Sequence, residues 1–134
     1  MPPLSRGAVA RILGGLALLA VCVAVAGLAL RDRSHPRYVI AGADANRGRA
    51  AFTAYGCGSC HRIPGVRPAV GAVGPPLEHW AERTYIAGRL PNTPGNLMRW
   101  ITRPQAAVPG NAMPDLNVSE PAARDMAAYL YGLR

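Results

Sequence analysis

The chain begins with a long apolar stretch and then changes character. From Ile12 to Leu30, nineteen consecutive residues carry no charge. At about 1.5 Å per residue they predict a helix of roughly 28 Å, close to the thickness of a bilayer's hydrocarbon core. Arg6 and Arg11 precede the run and Arg31, Asp32 and Arg33 follow it, so both ends carry charge suited to a membrane interface. Farther along, apolar positions recur in short helical patterns. Asp44 is placed to cap a helix over residues 45–55, in which Gly48, Ala51, Phe52 and Tyr55 share one face, and Gly56 ends it. Thr93 followed by Pro94 predicts a second helix, which must stop before Pro104. Ser119, with Glu120 and Pro121 in the first turn, opens a third that Gly132 closes, with Ala122, Met126, Leu130 and Leu133 as its apolar stripe. Between residues 62 and 92 proline and glycine leave room only for a turn of helix at 78–83, and no run alternates long enough to predict a strand.

These elements predict an all-α domain of short helices and long loops over residues 44–134. A stub and membrane helix over 1–30 and a tether over 31–43, mixed in charge and rich in proline and glycine, precede it. Two alternatives to an uncleaved anchor stay open. Residues 24–27 offer a small-residue cleavage pattern, although cutting there would fall inside the apolar stretch. Residues 19–22 loosely resemble a lipoprotein box, with Val21 a poor residue before Cys22.

Size sharpens the picture. A domain of about 100 residues buries a modest share of its surface, and long loops need something to lie against, so bound apolar bulk would relieve a shortage of core. The formal charge of +8 comes entirely from arginine, since the sequence contains no lysine. These arginines are scattered, with no basic stripe and no aromatic-interleaved patch, which argues against a nucleic-acid partner.

Chemistry concentrates in residues 57–61, Cys-Gly-Ser-Cys-His. A structural zinc site needs four ligands, and neither a second cysteine pair nor two spaced histidines is present. A thioredoxin-type dithiol needs a βαβ setting that the sequence lacks. The remaining reading is haem c attachment: two thiols three positions apart on one turn can each join a haem vinyl group, and the next residue carries an imidazole beneath the iron. Cys57 and Cys60 are then the thioether residues and His61 the proximal ligand. Such attachment takes place outside the bacterial inner membrane, which puts the N-terminus in the cytoplasm and the domain in the periplasm.

The second axial position has five candidates: His35, His79, Met98, Met113 and Met126. Met98 and Met126 lie on helices where core packing is the usual fate of methionine, His35 lies in the tether and His79 on a short surface turn. Met113 follows the Pro109–Gly110 turn and precedes Pro114, so an extended loop can present its thioether to the haem. A His61/Met113 pair closes the iron and implies a comparatively high reduction potential.

With these residues in hand, the sequence from Asp44 to Leu133 resembles the class I, single-haem cytochromes c. Residues 48–52, Gly-Arg-Ala-Ala-Phe, are similar to the family's N-terminal helix and 126–133 to its C-terminal helix. The resemblance implies that Gly48 and Phe52 meet Met126, Tyr129 or Leu130. Residues 74–77, Gly-Pro-Pro-Leu, match the loop whose proline carbonyl receives the histidine N–H, which makes Pro75 the partner of His61. Arg83 falls where the family often has an arginine near a haem propionate, and Trp100 where an aromatic lines the pocket. The family's propionate-contacting tryptophan is missing at the matching place, where Asn92 stands; Asn92 and Tyr85 are its possible replacements. The resemblance implies a small cytochrome c fold of three to five helices around the haem. The lysine ring with which many soluble members dock is absent, which leaves the partner-facing side open.

With the anchor, the chain also resembles single-haem cytochromes tethered beside or within bacterial terminal oxidases. The expected function is therefore one-electron transfer from a membrane donor, a quinol-oxidising complex, to a terminal oxidase, with no enzymatic activity and no small-molecule substrate of its own. The alternatives are a permanent subunit of an oxidase or other respiratory complex, and a haem enzyme or gas sensor with an open sixth position.

Overall fold

The computed structural model describes residues 5–33 and 36–134, which fall in two compact units, Met1–His35 and Pro36–Arg134. His35, one of the axial candidates, lies outside the described residues.

In the first unit α1 spans Arg6–Arg33, 28 residues, longer at both ends than the uncharged run. Its stretch Arg6–Leu30 is long and apolar enough to cross a membrane, and none of it is buried.

The second unit is mostly helical, as expected: α2 (Ala45–Ala54), α3 (Pro94–Thr102), α4 (Pro104–Ala107) and α5 (Glu120–Tyr131), with 3₁₀ turns at Cys57–Ser59 and Trp80–Glu82. The helix starts obey local chemistry. Asp44 accepts from the N–H groups of Asn46 and Arg47, Thr93 from that of Asn96 and Ser119 from that of Ala122, each supplying an acceptor to a first-turn donor. Gly56 takes φ 68°, a left-handed conformation that lets the chain leave α2 and wind at once into the cysteine turn.

α2 crosses α5 at Gly48, where a Cβ would overlap the Asp125 carbonyl and lie 2.9 Å from Met126 N. Phe52 packs against Tyr129 with ring centroids 5.9 Å apart. Asp125 fastens the crossing: it receives the Asp44 N–H at 2.7 Å, Arg47 Nε at 2.7 Å and Arg47 Nη2 at 3.0 Å. The Arg47 guanidinium bonded to both oxygens holds this carboxyl below its ordinary range, although burial opposes the shift.

Four expectations need correction. The buried face of α5 is Ala123, Met126, Ala127, Leu130 and Tyr131, with Ala122 and Leu133 only partly covered, because α2 and α3 both pack on this helix. A two-residue hairpin, β1 (Tyr85–Ile86) with β2 (Leu90–Pro91), pairs Tyr85 with Pro91 and Ile86 with Leu90; two residues are too short for a visible alternation. Past Pro104 the chain makes the helical turn α4 rather than loop, with proline at a start position where its missing N–H costs nothing. The stretch read as a tether does not behave as one over residues 36–43. Tyr38 stands edge-on to Tyr131 at 4.8 Å, the Arg37 N–H bonds the Tyr131 carbonyl at 3.0 Å, and Arg37 Nη1 reaches the carbonyls of Ala81 (3.0 Å) and Arg83 (2.7 Å).

Candidate functional site

The turn after Gly56 coils the Cys-x-x-Cys-His segment on itself, the N–H groups of Cys60 and His61 both bonding the Cys57 carbonyl, at 3.2 and 3.0 Å. The two thiols and the imidazole thereby share one wall of a cavity of about 280 Å³. Cys57 is buried, which pushes its thiol above the ordinary range, while Cys60 is only partly covered.

His61 is held by its surroundings. Its Nδ1 lies 2.7 Å from the Pro75 carbonyl, an acceptor only, so this nitrogen donates the hydrogen bond and Nε2 is the ring nitrogen left for a metal. The Pro75 loop is tied back to the turn by Gly74 N–H to the Cys60 carbonyl and Leu77 N–H to the Arg62 carbonyl, both 2.8 Å, and by an exposed Arg62–Glu78 pair. Glycine is required at 74: a Cβ there would strike the imidazole, lying 2.6 Å from Nδ1 and 2.9 Å from Nε2.

Met113 lines the same cavity from the loop after α4, and Phe52, Leu77, Ile86, Leu97, Trp100, Ile101 and Leu130 supply its apolar walls. Of the other axial candidates, Met126 also lines it but is 1% exposed within the core on α5. Met98 packs outside it on α3 and His79 is an exposed neighbour of Glu82.

Of the residues implied by resemblance, Pro75, Arg83 and Trp100 line the cavity, whereas Tyr85 and Asn92 do not. Tyr85 is 56% exposed on the hairpin. Asn92 is buried, its amide nitrogen donating to the carbonyls of Trp80 (3.1 Å) and Arg83 (3.0 Å), its oxygen receiving the Tyr131 hydroxyl at 2.9 Å. Both donors of its amide are thereby used, which leaves none for an acidic group of a cofactor.

Trp80 was missed. It lines the cavity, and its Nε1 is a buried donor without a partner. Arg83 stacks on the Trp80 ring at 4.8 Å, bonds the carbonyls of Pro76 and Glu78, and is partly buried, which draws its guanidinium below the ordinary value. The only sequence signal for Trp80 was a large aromatic in a turn otherwise made of small and charged residues. An imidazole nitrogen, a thioether, two thiols, an arginine and apolar walls fit a haem with acidic substituents.

Comparison with known proteins adds one finding. The sequence model of the family described as Cytochrome c matches residues 45–134, from the first residue of α2 onward. No curated protein matches the chain.

Proposed function

The chain belongs to the cytochrome c family, and on that premise we propose that it is a His61/Met113-ligated electron carrier, anchored by α1 on the periplasmic face of a bacterial inner membrane, which serves a respiratory terminal oxidase. The family is one of haem-based electron carriers whose haem c is covalently held; when bound, that group supplies the one-electron couple. The observation that carries the reading is the convergence of the cysteine turn, His61 and Met113 on one apolar cavity.

Each residue then has a role. Cys57 and Cys60 supply the thioether sulfurs. His61 presents Nε2, its ring fixed by Pro75 and its space kept by Gly74. Arg83, which lines the cavity, would be the residue to pair with an acidic group of the cofactor, and the Trp80 ring would add to the apolar wall; Tyr85 and Asn92, to which the family resemblance gave such a contact, would not take part. The apolar walls exclude water, so few dipoles must reorient when the iron changes charge by one. A formal charge of +8 favours an acidic partner, with association weakening as salt rises.

The test is isolation of the full chain from membranes. Pigment that survives denaturation, a native spectrum with sulfur ligation, and loss of that ligation in Met113→Ala support the reading. A chain without covalent pigment, or a Met113→Ala protein whose spectrum is unchanged, overturns it. Rapid carbon monoxide binding by the reduced native protein would point instead to an open-site enzyme or sensor. Retention of oxidase subunits through mild detergent would identify a built-in subunit rather than a separate carrier.

A further inference from the structure

Met113 sits in an irregular loop, residues 108–119, yet both of its backbone polar groups are committed to side chains. Its N–H donates to Asn111 Oδ1 at 2.7 Å, and its carbonyl accepts from Gln105 Nε2 at 2.7 Å. Gln105 Nε2 also donates to the Asn111 carbonyl at 2.9 Å. Asn111 Nδ2 in turn donates to the carbonyls of Pro104, at 2.9 Å, and Val108, at 2.7 Å. Every donor of both amide groups is used, and neither amide can flip without setting its oxygen against two carbonyl oxygens. The network joins the methionine to α4, whose first residue, Pro104, is buried.

We propose that Gln105 and Asn111 are positioning residues for Met113, fixing its backbone so that the thioether is held at the cavity before and apart from any bond to iron. The inference rests on reading Met113 as an axial ligand. A thioether is a neutral ligand, and ordering a long loop on it alone would set the loop's lost conformational entropy against one coordinate bond. Hydrogen bonds made within the fold meet that cost independently, the usual advantage of preorganisation. The network also explains why the turn α4 follows Pro104 directly: it brings Gln105 within reach of both carbonyls of the loop.

The test is competition by imidazole for the sulfur's place in the full-length haem protein. Gln105→Ala, which removes two of these hydrogen bonds, and Asn111→Ala, which removes three, should each lower the half-displacing imidazole concentration about fivefold or more. Asn111→Asp, which keeps an acceptor for the Met113 N–H but sets a carboxylate oxygen against the carbonyls of Pro104 and Val108, should lower it at least as far as Asn111→Ala. A general loss of stability would lower the thermal midpoint without moving this competition. In the unmutated protein the Met113 amide should exchange slowly with solvent, a measurement that does not depend on any variant folding. Unchanged midpoints in both alanine variants, or a fast-exchanging Met113 amide, overturn the positioning role while leaving the ligand reading intact. Absence of sulfur ligation in the unmutated protein overturns both.

Discussion

Substituting Gly48 with alanine sets two effects of opposite sign against each other. On an exposed helix the change favours folding by about 1 kcal/mol, because alanine is the better helix former. At the α2–α5 crossing the added Cβ would lie 2.5 Å from the Asp125 carbonyl carbon and 2.9 Å from Met126 N, and no side-chain atom stands there to move aside. α5 must withdraw by about 1 Å, a gap that forfeits a quarter to a half of each dispersion contact across the seam. Withdrawal also stretches the 2.7 Å bonds that Asp125 receives from Asp44 N–H and Arg47 Nε. Overpacking of this kind costs about 3 kcal/mol at its upper end, so the net loss is about 2 kcal/mol. For a domain of this size that lowers the melting midpoint by about 10 °C. The assay is thermal unfolding of the full chain in detergent, followed by near-ultraviolet circular dichroism of the aromatic core rather than by the far-ultraviolet signal, to which α1 adds 28 helical residues that the change does not touch. A midpoint equal to or above that of the unmutated protein is what helix propensity alone demands, and it would refute the close crossing.

Two further substitutions probe the fastening of α5 and the histidine wall. Asp125 has a folded pKa below its unfolded value, chiefly through Arg47, so its contribution is present above about pH 4, the unfolded value, and is lost as pH falls from there through the folded one. Asp125→Asn should therefore lower the melting midpoint most at neutral pH, with the two proteins converging in acid; a constant offset across the pH series would show that the charge is not what the site uses. Gly74→Ala should leave the fold helical but displace the His61 ring from Pro75, giving a protein that attaches haem poorly or shows a perturbed iron spectrum. Full incorporation with an unchanged spectrum would mean that the imidazole and residue 74 do not touch as described.

What could be read from the chain, and what could not, divides by the distance over which each residue finds its partner. Asp44, Thr93 and Ser119 cap helices because their acceptors lie two or three residues from the donors they serve, and Cys57 reaches His61 within one turn. Such relations are carried by spacing alone. Two of the errors, the face of α5 and the tether, involve partners far apart in sequence. The buried side of α5 is wider than its stripe, taking in Ala123 and Ala127, on a helix against which both α2, some 75 residues earlier, and α3 pack. Arg37 was assigned to a tether because nothing near it in sequence shows that carbonyls at 81 and 83 await its guanidinium. Asn92 is the instructive case. A polar residue at the matching place of a cofactor pocket suggests a cofactor contact, but the turn at Trp80–Glu82 exposes carbonyls to the interior, and Asn92 is the buried amide within reach of two strands of that demand. Once it is committed to them and to Tyr131, the guanidinium left at the cavity is that of Arg83. Backbone groups that must be satisfied on burial thus decide which side chains remain for function, and that allocation is made only when the chain has closed on itself.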